Sequence, residues 1–165
     1  MVLESYFSAR QSEISIPIHL YALFDGLHYA ELEDAPMLER HPSGAIALFD
    51  GTRDASLADA GPWLVAYEYL GPEARDALAR LASGPEGVNW LISAYAMNHL
   101  ASELKERLDT RLPDGRTALL RYYDTRVMRH LAPLLGVSER LDFFFPTFDW
   151  WLEFDGQAMK VHPNA

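Results

Sequence analysis

Four short apolar runs in the first hundred residues restrict the possible folds of this chain more than any other feature. They are "IHLYALFDG", "GAIALFDG", "PWLVAYEYL" and "GVNWLISAY". Short runs of this kind, bounded by Gly, Pro or Asp, predict β-strands. The last run is apolar nearly throughout, which is typical of a strand buried on both faces. The chain is therefore expected to form a β-sheet whose faces are covered by other parts of the chain.

Helical signals alternate with these runs. Gly71-Pro72 opens the clearest helix, because proline suits the first helical position, and Ser83-Gly84 ends it. Asp124 is well placed to cap a later helix. Strands alternating with helices in 165 residues predict one α/β (α+β) domain, with a mixed β-sheet flanked by helices.

The two ends of the chain differ in their patterns. Residues 1–15 lack periodicity and predict a flexible N-terminal arm, leaving residues 16–165 as the single domain. At the other end, "TFDWWLEF" and "AMKVH" flank Asp155-Gly156, a strong two-residue turn signal. A terminal hairpin is therefore expected.

Composition and charge bear on partners and compartment. The net charge is −10, and residues 1–70 hold eleven acidic against three basic residues, which argues against nucleic-acid binding. The chain has no cysteine, no apolar run of membrane-spanning length and no basic start followed by an apolar core. We expect a cytoplasmic protein that does not bind membranes.

The stretch "ALFDG" occurs twice, at residues 22–26 and 47–51. The flanks of the two copies do not align, which argues against an internal repeat. The second copy, "IALFDGT", matches half of the motif of haloacid-dehalogenase phosphatases, but Leu48 stands where the nucleophilic Asp would be, and leucine cannot attack phosphorus. Both pairs, Asp25-Gly26 and Asp50-Gly51, are therefore interpreted as structural turns or caps.

Other chemical motifs are weak. The six histidines are scattered without metal-ligand spacing, and no glycine-rich phosphate loop or nucleophile elbow occurs. Asp25 with His28 could form an acid–base or metal pair, but such pairs are common by chance. We expect no catalytic residue, no metal site and no cofactor.

The order of several segments resembles a known family. "YALFDG", "LFDGT", "GPWLV", "NWLIS", "LLRYYDTRV" and "FFFPTFDWWLE" follow one another from about residue 16 to residue 154. This order is similar to that of the adaptor-chaperone family of the bacterial type VI secretion system, a former domain of unknown function. The corresponding segments are Tyr21–Gly26, Gly61–Val65 and Arg121–Val127, with Thr125 where many relatives have proline.

The resemblance implies a non-catalytic cytoplasmic protein. Members of that family bind a toxic effector, often encoded nearby, and help to load it onto the secretion spike, whose tip protein they often contact. Affinity at such surfaces usually comes from a few aromatic and arginine anchors. Five residues are candidates for this role: Trp151, Trp63, Arg121, Tyr123 and Arg126.

Each candidate also has a structural alternative. Strand alternation places Trp151 on a half-wet face with Asp149 and Glu153, although it could also cover the sheet edge. Trp63 begins a strand and suits the core. The segment from Arg121 to Arg126, with Tyr123 and the cap Asp124, could form an internal ion-pair network instead of a docking patch.

Two other functions stay open. The acidic segment Glu31–Glu39 could bind a basic toxin, as in an immunity or regulatory protein, and such binding would weaken steeply with salt. A metal-dependent hydrolase would instead require Asp25, Asp50 or Asp124 to converge in one pocket.

Overall fold

The computed structural model describes residues 2–163. Within these residues the chain forms six α-helices, three short 3₁₀ turns (Ala55–Leu57, Tyr67–Tyr69 and Ala132–Leu134) and eight strands. The helices are α1 (Val2–Glu13), α2 (Gly26–Ala30), α3 (Pro72–Ser83), α4 (Met97–Glu106), α5 (Thr125–Leu131) and α6 (Val137–Phe144). The strands are β1 (His19–Asp25), β2 (Ala45–Ala47), β3 (Pro62–Ala66), β4 (Val88–Ser93), β5 (Asp109–Arg111), β6 (Thr117–Leu119), β7 (Asp149–Phe154) and β8 (Gln157–His162).

The main sheet has the strand order β2-β3-β1-β4-β7-β8 among the described residues, and β5 with β6 forms a separate hairpin. The predicted single α+β domain is confirmed. Every pairing in the main sheet is antiparallel, so the expected mixed sheet is corrected on this point. Alternation of helices and strands along a chain does not fix strand direction, because an antiparallel neighbour can also follow a helix.

The two central strands are buried on both faces. All six residues of β4 and all but the first residue of β1 are buried. On one face, Trp90 lies opposite Trp151, and its ring contacts the ring of Tyr67. Arg75 of α3 donates a hydrogen bond to the Tyr67 carbonyl oxygen. On the other face, Leu91 lies opposite Trp150, which packs against α6. Helices on both faces explain the nearly continuous apolar runs of these strands.

Local turn and cap signals lie where the sequence predicts them. Helix α3 begins at Pro72 and ends before Gly84. Strands β7 and β8 are joined by Asp155 and Gly156, both with positive φ, so the predicted terminal hairpin is confirmed.

The N-terminal residues form a helix, α1, where the sequence analysis expected a flexible arm. The helix is tied to β7 by polar contacts: the Tyr6 hydroxyl and the Arg10 guanidinium each donate to the Asp149 carboxylate at 2.8 Å. Leu3, a residue of this helix, is buried in the hydrophobic core. Because much of this anchoring is polar, the sequence of the helix shows no clear apolar periodicity.

A search of residues 2–163 for a helix long and apolar enough to cross a membrane finds none.

Candidate protein-binding surface

The first Asp-Gly pair caps a helix at the end of β1. Asp25 is the N-cap residue of α2, and its Oδ1 accepts a hydrogen bond from the Leu27 amide at 3.0 Å. Gly26 is needed for close approach: a Cβ atom there would lie 2.5 Å from the Asp59 carbonyl oxygen and 2.6 Å from Cδ1 of Trp63. This pair therefore fixes how the chain leaves the sheet.

The second Asp-Gly pair forms a turn. Gly51 has a φ of +74°, a conformation that favours glycine. The Arg40 guanidinium donates two hydrogen bonds to the Asp50 carboxylate, at 2.6 and 3.0 Å, and holds its pKa below the ordinary value. Lys105 donates to the Asp50 carbonyl oxygen at 2.8 Å, which joins the turn to α4.

A cluster of four charged side chains joins the starts of α2 and α5, and we call it the Arg121 cluster: Asp25, Arg121, Asp124 and Arg126. Asp124 is the N-cap of α5, with its Oδ1 accepting from the Arg126 amide at 2.9 Å. The Arg126 side chain donates to both carboxylate oxygens of Asp124. Nη2 of Arg121 lies 3.1 Å from Oδ2 of Asp25 and 3.6 Å from Oδ2 of Asp124.

Charge pairing controls the ionisation of this cluster. Burial by itself would raise the pKa of Asp124, but hydrogen bonds from the Arg126 side chain and backbone, with the charges of Arg126 and Arg121, hold it below its ordinary value. The carboxylate is therefore kept ionised and occupied by donors. Arg121 and Arg126 keep about half of their side-chain surface exposed.

The three carboxylates considered for catalysis divide between two places. Asp25 and Asp124 both contact Arg121, whereas Asp50 is held by Arg40. Residues 2–163 contain no group of three or more His, Asp or Glu side chains arranged to hold a metal ion. In this arrangement the Arg121 cluster stabilises the N-termini of α2 and α5.

The three aromatic binding candidates are mostly covered. Trp63 is buried, and its Nε1–H donates to the Asp59 carbonyl oxygen at 3.1 Å. Tyr123 is buried against Phe49. Trp151 is half-buried beneath α1, with its ring centroid 5.1 Å from that of Tyr6. As placed, Trp63 and Tyr123 are core residues.

The face of β7 that contains Trp151 is also drier than the sequence analysis expected. Asp149 is fully buried and accepts from Tyr6, Arg10 and Lys160. Burial would raise the pKa of Asp149, but these three donors together lower it. On this face Asp149 is an internal ion-pair site, whereas Trp151 and Glu153 are half-buried. Alternation along a strand does not reveal that a helix covers part of the face.

A group of strongly exposed apolar side chains lies on α6 and at its two ends, and sequence reasoning did not select it. We call it the α6 stripe: Leu134, Val137, Leu141 and Phe145, which are 79%, 82%, 66% and 72% exposed. Val137, Leu141 and Phe145 are spaced four residues apart, so they follow one another along one side of the helix.

The packed side of α6 is formed by Arg140, Phe143 and Phe144, and it fixes the direction in which the adjoining stripe faces. Phe144 is fully buried, and its ring packs on Trp150 at 5.5 Å and on His162 at 4.7 Å. Arg140 donates to the Ala132 carbonyl oxygen. With these contacts fixing the helix, the adjoining side with Val137, Leu141 and Phe145 is left in solvent. The signal in the sequence was an apolar arc wider than the side of the helix that packs on the domain.

A contiguous exposed apolar patch on a folded protein usually marks an interaction site. The fold and this surface therefore define the protein as a single α+β domain with a candidate site for binding another protein.

The chain belongs to the family described as "Domain of unknown function (DUF4123)", whose model matches residues 20–141. The matched region contains the Arg121 cluster and the first half of α6. Searches of curated proteins and of solved structures give no match.

Proposed function

We propose that this protein is a cytoplasmic adaptor that binds a type VI secretion effector and helps to load it onto the spike. Membership of DUF4123, together with the order of segments that resembles the adaptor-chaperones of that system, supports the proposal. In this proposal the protein works by binding and catalyses no reaction. Its partners are the effector and the spike-tip protein.

The observation that carries the proposal is the α6 stripe. Its four apolar side chains are each about two-thirds exposed or more, and three of them, Val137, Leu141 and Phe145, follow one another at helical spacing. Side chains of this kind lose little conformational entropy when a partner covers them, and burying them is favourable by about 1.5–3 kcal/mol for a fully covered leucine or phenylalanine. Exposed apolar side chains at helical spacing are suited to anchor a protein partner.

The rest of the structure gives this surface a rigid support. Helix α6 rests on Trp150 through Phe144, and Arg107 of the end of α4 donates to the carbonyl oxygens of Asp142 and Phe143. A pre-ordered surface binds with a smaller entropy cost than one that must order on contact. This suits a protein that must hold a partner and later release it intact.

The test is co-expression of the tagged full-length chain with each protein encoded next to its gene, followed by size-exclusion chromatography. We expect one of these proteins to elute with the chain as a stable complex. The double variant Val137→Glu/Leu141→Glu should lose that complex, because it places two charges in the stripe. The variant Met37→Glu is the matched control, because it changes an equally exposed apolar residue in the loop after α2.

Failure of every neighbouring gene product to form a complex with the wild-type chain would contradict the proposal. A circular dichroism spectrum identical to that of the wild type is required of the double variant, so that loss of the complex reports on the surface and not on folding.

A further inference from the structure

A groove lies between α6 and the end of α4, next to the C-terminal end of the α6 stripe. Its volume is about 480 Å³. Leu135 and Phe143 supply apolar floor, and the chain at Asp109–Thr110 closes the far side. Asp142 lines the groove and precedes Phe145 of the stripe by three residues, a spacing that makes the two side chains neighbours on the helix surface, so the groove adjoins the stripe at its C-terminal end.

The groove is acidic. Four carboxylates line it, at Glu106, Asp109, Glu139 and Asp142, against the one cation Arg107. Glu139 accepts from the Gly136 amide and Asp109 pairs with Arg53. Within residues 2–163, Glu106 and Asp142 have no cationic partner within salt-bridge distance and are exposed.

The single cation in the groove is already engaged. The Arg107 guanidinium forms an ion pair with Glu103 at 3.1 Å and donates to the carbonyl oxygens of Phe143 and Asp142, each at 2.8 Å. It cannot neutralise the neighbouring carboxylates without leaving these acceptors. The rim therefore keeps an excess of negative charge beside an apolar stripe.

We infer that the α6 stripe and this groove together bind a cationic amphipathic helix of the partner protein. This inference rests on the proposed adaptor function and specifies the segment that the adaptor recognises. Apolar residues at one-turn spacing on the partner would cover Leu141 and Phe145, and Lys or Arg residues flanking them would face Glu106 and Asp142.

The shape of the surface favours a helix as its occupant. From Val137 to Phe145 the stripe is roughly 12 Å long, which is the length of about two helical turns. A surface side chain every fourth residue offers the ridge that a second helix packs against. An extended strand would instead need an unpaired sheet edge, and the stripe is helical.

The test uses three 18-residue amidated peptides and the full-length chain, with binding measured by fluorescence anisotropy. The first peptide has leucines on one helical face and lysines beside them. The second replaces every lysine by glutamate. The third has the composition of the first, with the leucines distributed around the helix. The first should bind at least tenfold more tightly than each of the others.

Variants then locate the site. Leu141→Glu should weaken binding of the first peptide at least tenfold. Glu106→Gln/Asp142→Asn should weaken it severalfold and make it less sensitive to salt, because two rim charges are removed. Met37→Glu, in the acidic loop after α2, should leave binding unchanged.

Three results would overturn the inference. One is equal binding of the lysine and glutamate peptides. Another is weakening by Met37→Glu without weakening by Leu141→Glu, which would place the site on the acidic loop. The third is a wild-type dimer in light scattering that Leu141→Glu converts to a monomer, which would identify a second copy of the chain as the occupant.

The same measurements separate this inference from the proposed function. A chain that forms a complex with a neighbouring gene product but does not prefer the lysine peptide would leave the adaptor function standing and reject the helix. A chain that prefers the peptide but forms no such complex would reject the adaptor function alone.

Discussion

Arg121 and Asp25 are 96 positions apart in the chain and form an ion pair, with Nη2 3.1 Å from Oδ2. Asp25 caps α2, and Arg121 also reaches Asp124, which caps α5. Two helix starts from distant parts of the chain are therefore held by one guanidinium. Each carboxylate accepts from its own helix and faces the same cation, so the pair ties the two halves of the family domain together.

Replacing Arg121 by alanine should lower the free energy of unfolding by less than about 1 kcal/mol, because nearly half of the Arg121 side chain is exposed and solvent screens its charge. The loss should shrink in 1 M salt. Urea denaturation at low and high salt measures both effects. The control is Arg116→Ala, whose side chain is 77% exposed and pairs with nearby Asp114. An equal loss in this control would argue against a role for the Arg121 cluster.

Replacing Gly26 by alanine should destabilise the protein by about 1–3 kcal/mol, because the new Cβ would overlap the Asp59 carbonyl oxygen, which belongs to backbone and cannot rotate away. Thermal unfolding followed by circular dichroism measures the change. Gly84→Ala is the matched control, since a Cβ there would meet its nearest atom at 3.4 Å and the residue has negative φ. That variant should unfold within a few degrees of the wild type.

Asp149 should make the protein sensitive to acid. Its folded-state pKa is lowered, so the stability it contributes is complete above the unfolded value of about 4 and is lost as the pH falls through the folded value. Asp149→Asn should cost about 3 kcal/mol at pH 7, since Arg10 and Lys160 lose their charged partner.

Urea denaturation of Asp149→Asn and of the wild type at pH 7 and pH 3 checks this prediction. The difference in unfolding free energy between the two proteins should be smaller at pH 3. A difference that stays constant or grows toward low pH would show that Asp149 is not ionised in the folded protein. Far-UV circular dichroism would also report whether α1 detaches.

The features that sequence reasoning predicted are those set by local chemistry. Pro72 starts a helix because its ring fixes φ, and Asp155-Gly156 turns because both residues accept positive φ. Asp124 caps a helix by accepting a hydrogen bond from the amide of Arg126, two residues further on. Each of these depends on two to four adjacent residues, and the sequence contains them all.

The features that it missed depend on distant contacts. Helix α1 docks on β7, where Asp149, more than a hundred residues away, accepts hydrogen bonds from Tyr6 and Arg10. Alternation along β7 correctly placed Trp150 and Trp151 on opposite faces, but both faces are covered to different degrees by helices. Conversely, Leu141 is exposed although Phe144, its neighbour three residues on in the same helix, is buried against Trp150. Exposure is decided by packing, which the local pattern does not contain.

The two neighbouring phenylalanines at the end of α6 give the sharpest contrast between core and surface. Phe144 is fully buried and Phe145 is 72% exposed. Phe144→Ala should lower the free energy of unfolding by about 3–5 kcal/mol, because it leaves a cavity against Trp150 and His162. Phe145→Ala should change it by less than about 0.5 kcal/mol, as is usual for an exposed side chain.

The same pair of variants separates stability from binding. Phe145→Ala should fold like the wild type and yet bind its partner more weakly, because it shortens the α6 stripe. Urea denaturation and titration of the lysine-bearing amphipathic peptide, carried out on one preparation, measure the two properties together. If Phe145→Ala were as destabilising as Phe144→Ala, then Phe145 would be part of the core, and the α6 stripe would lose the residue at its C-terminal end.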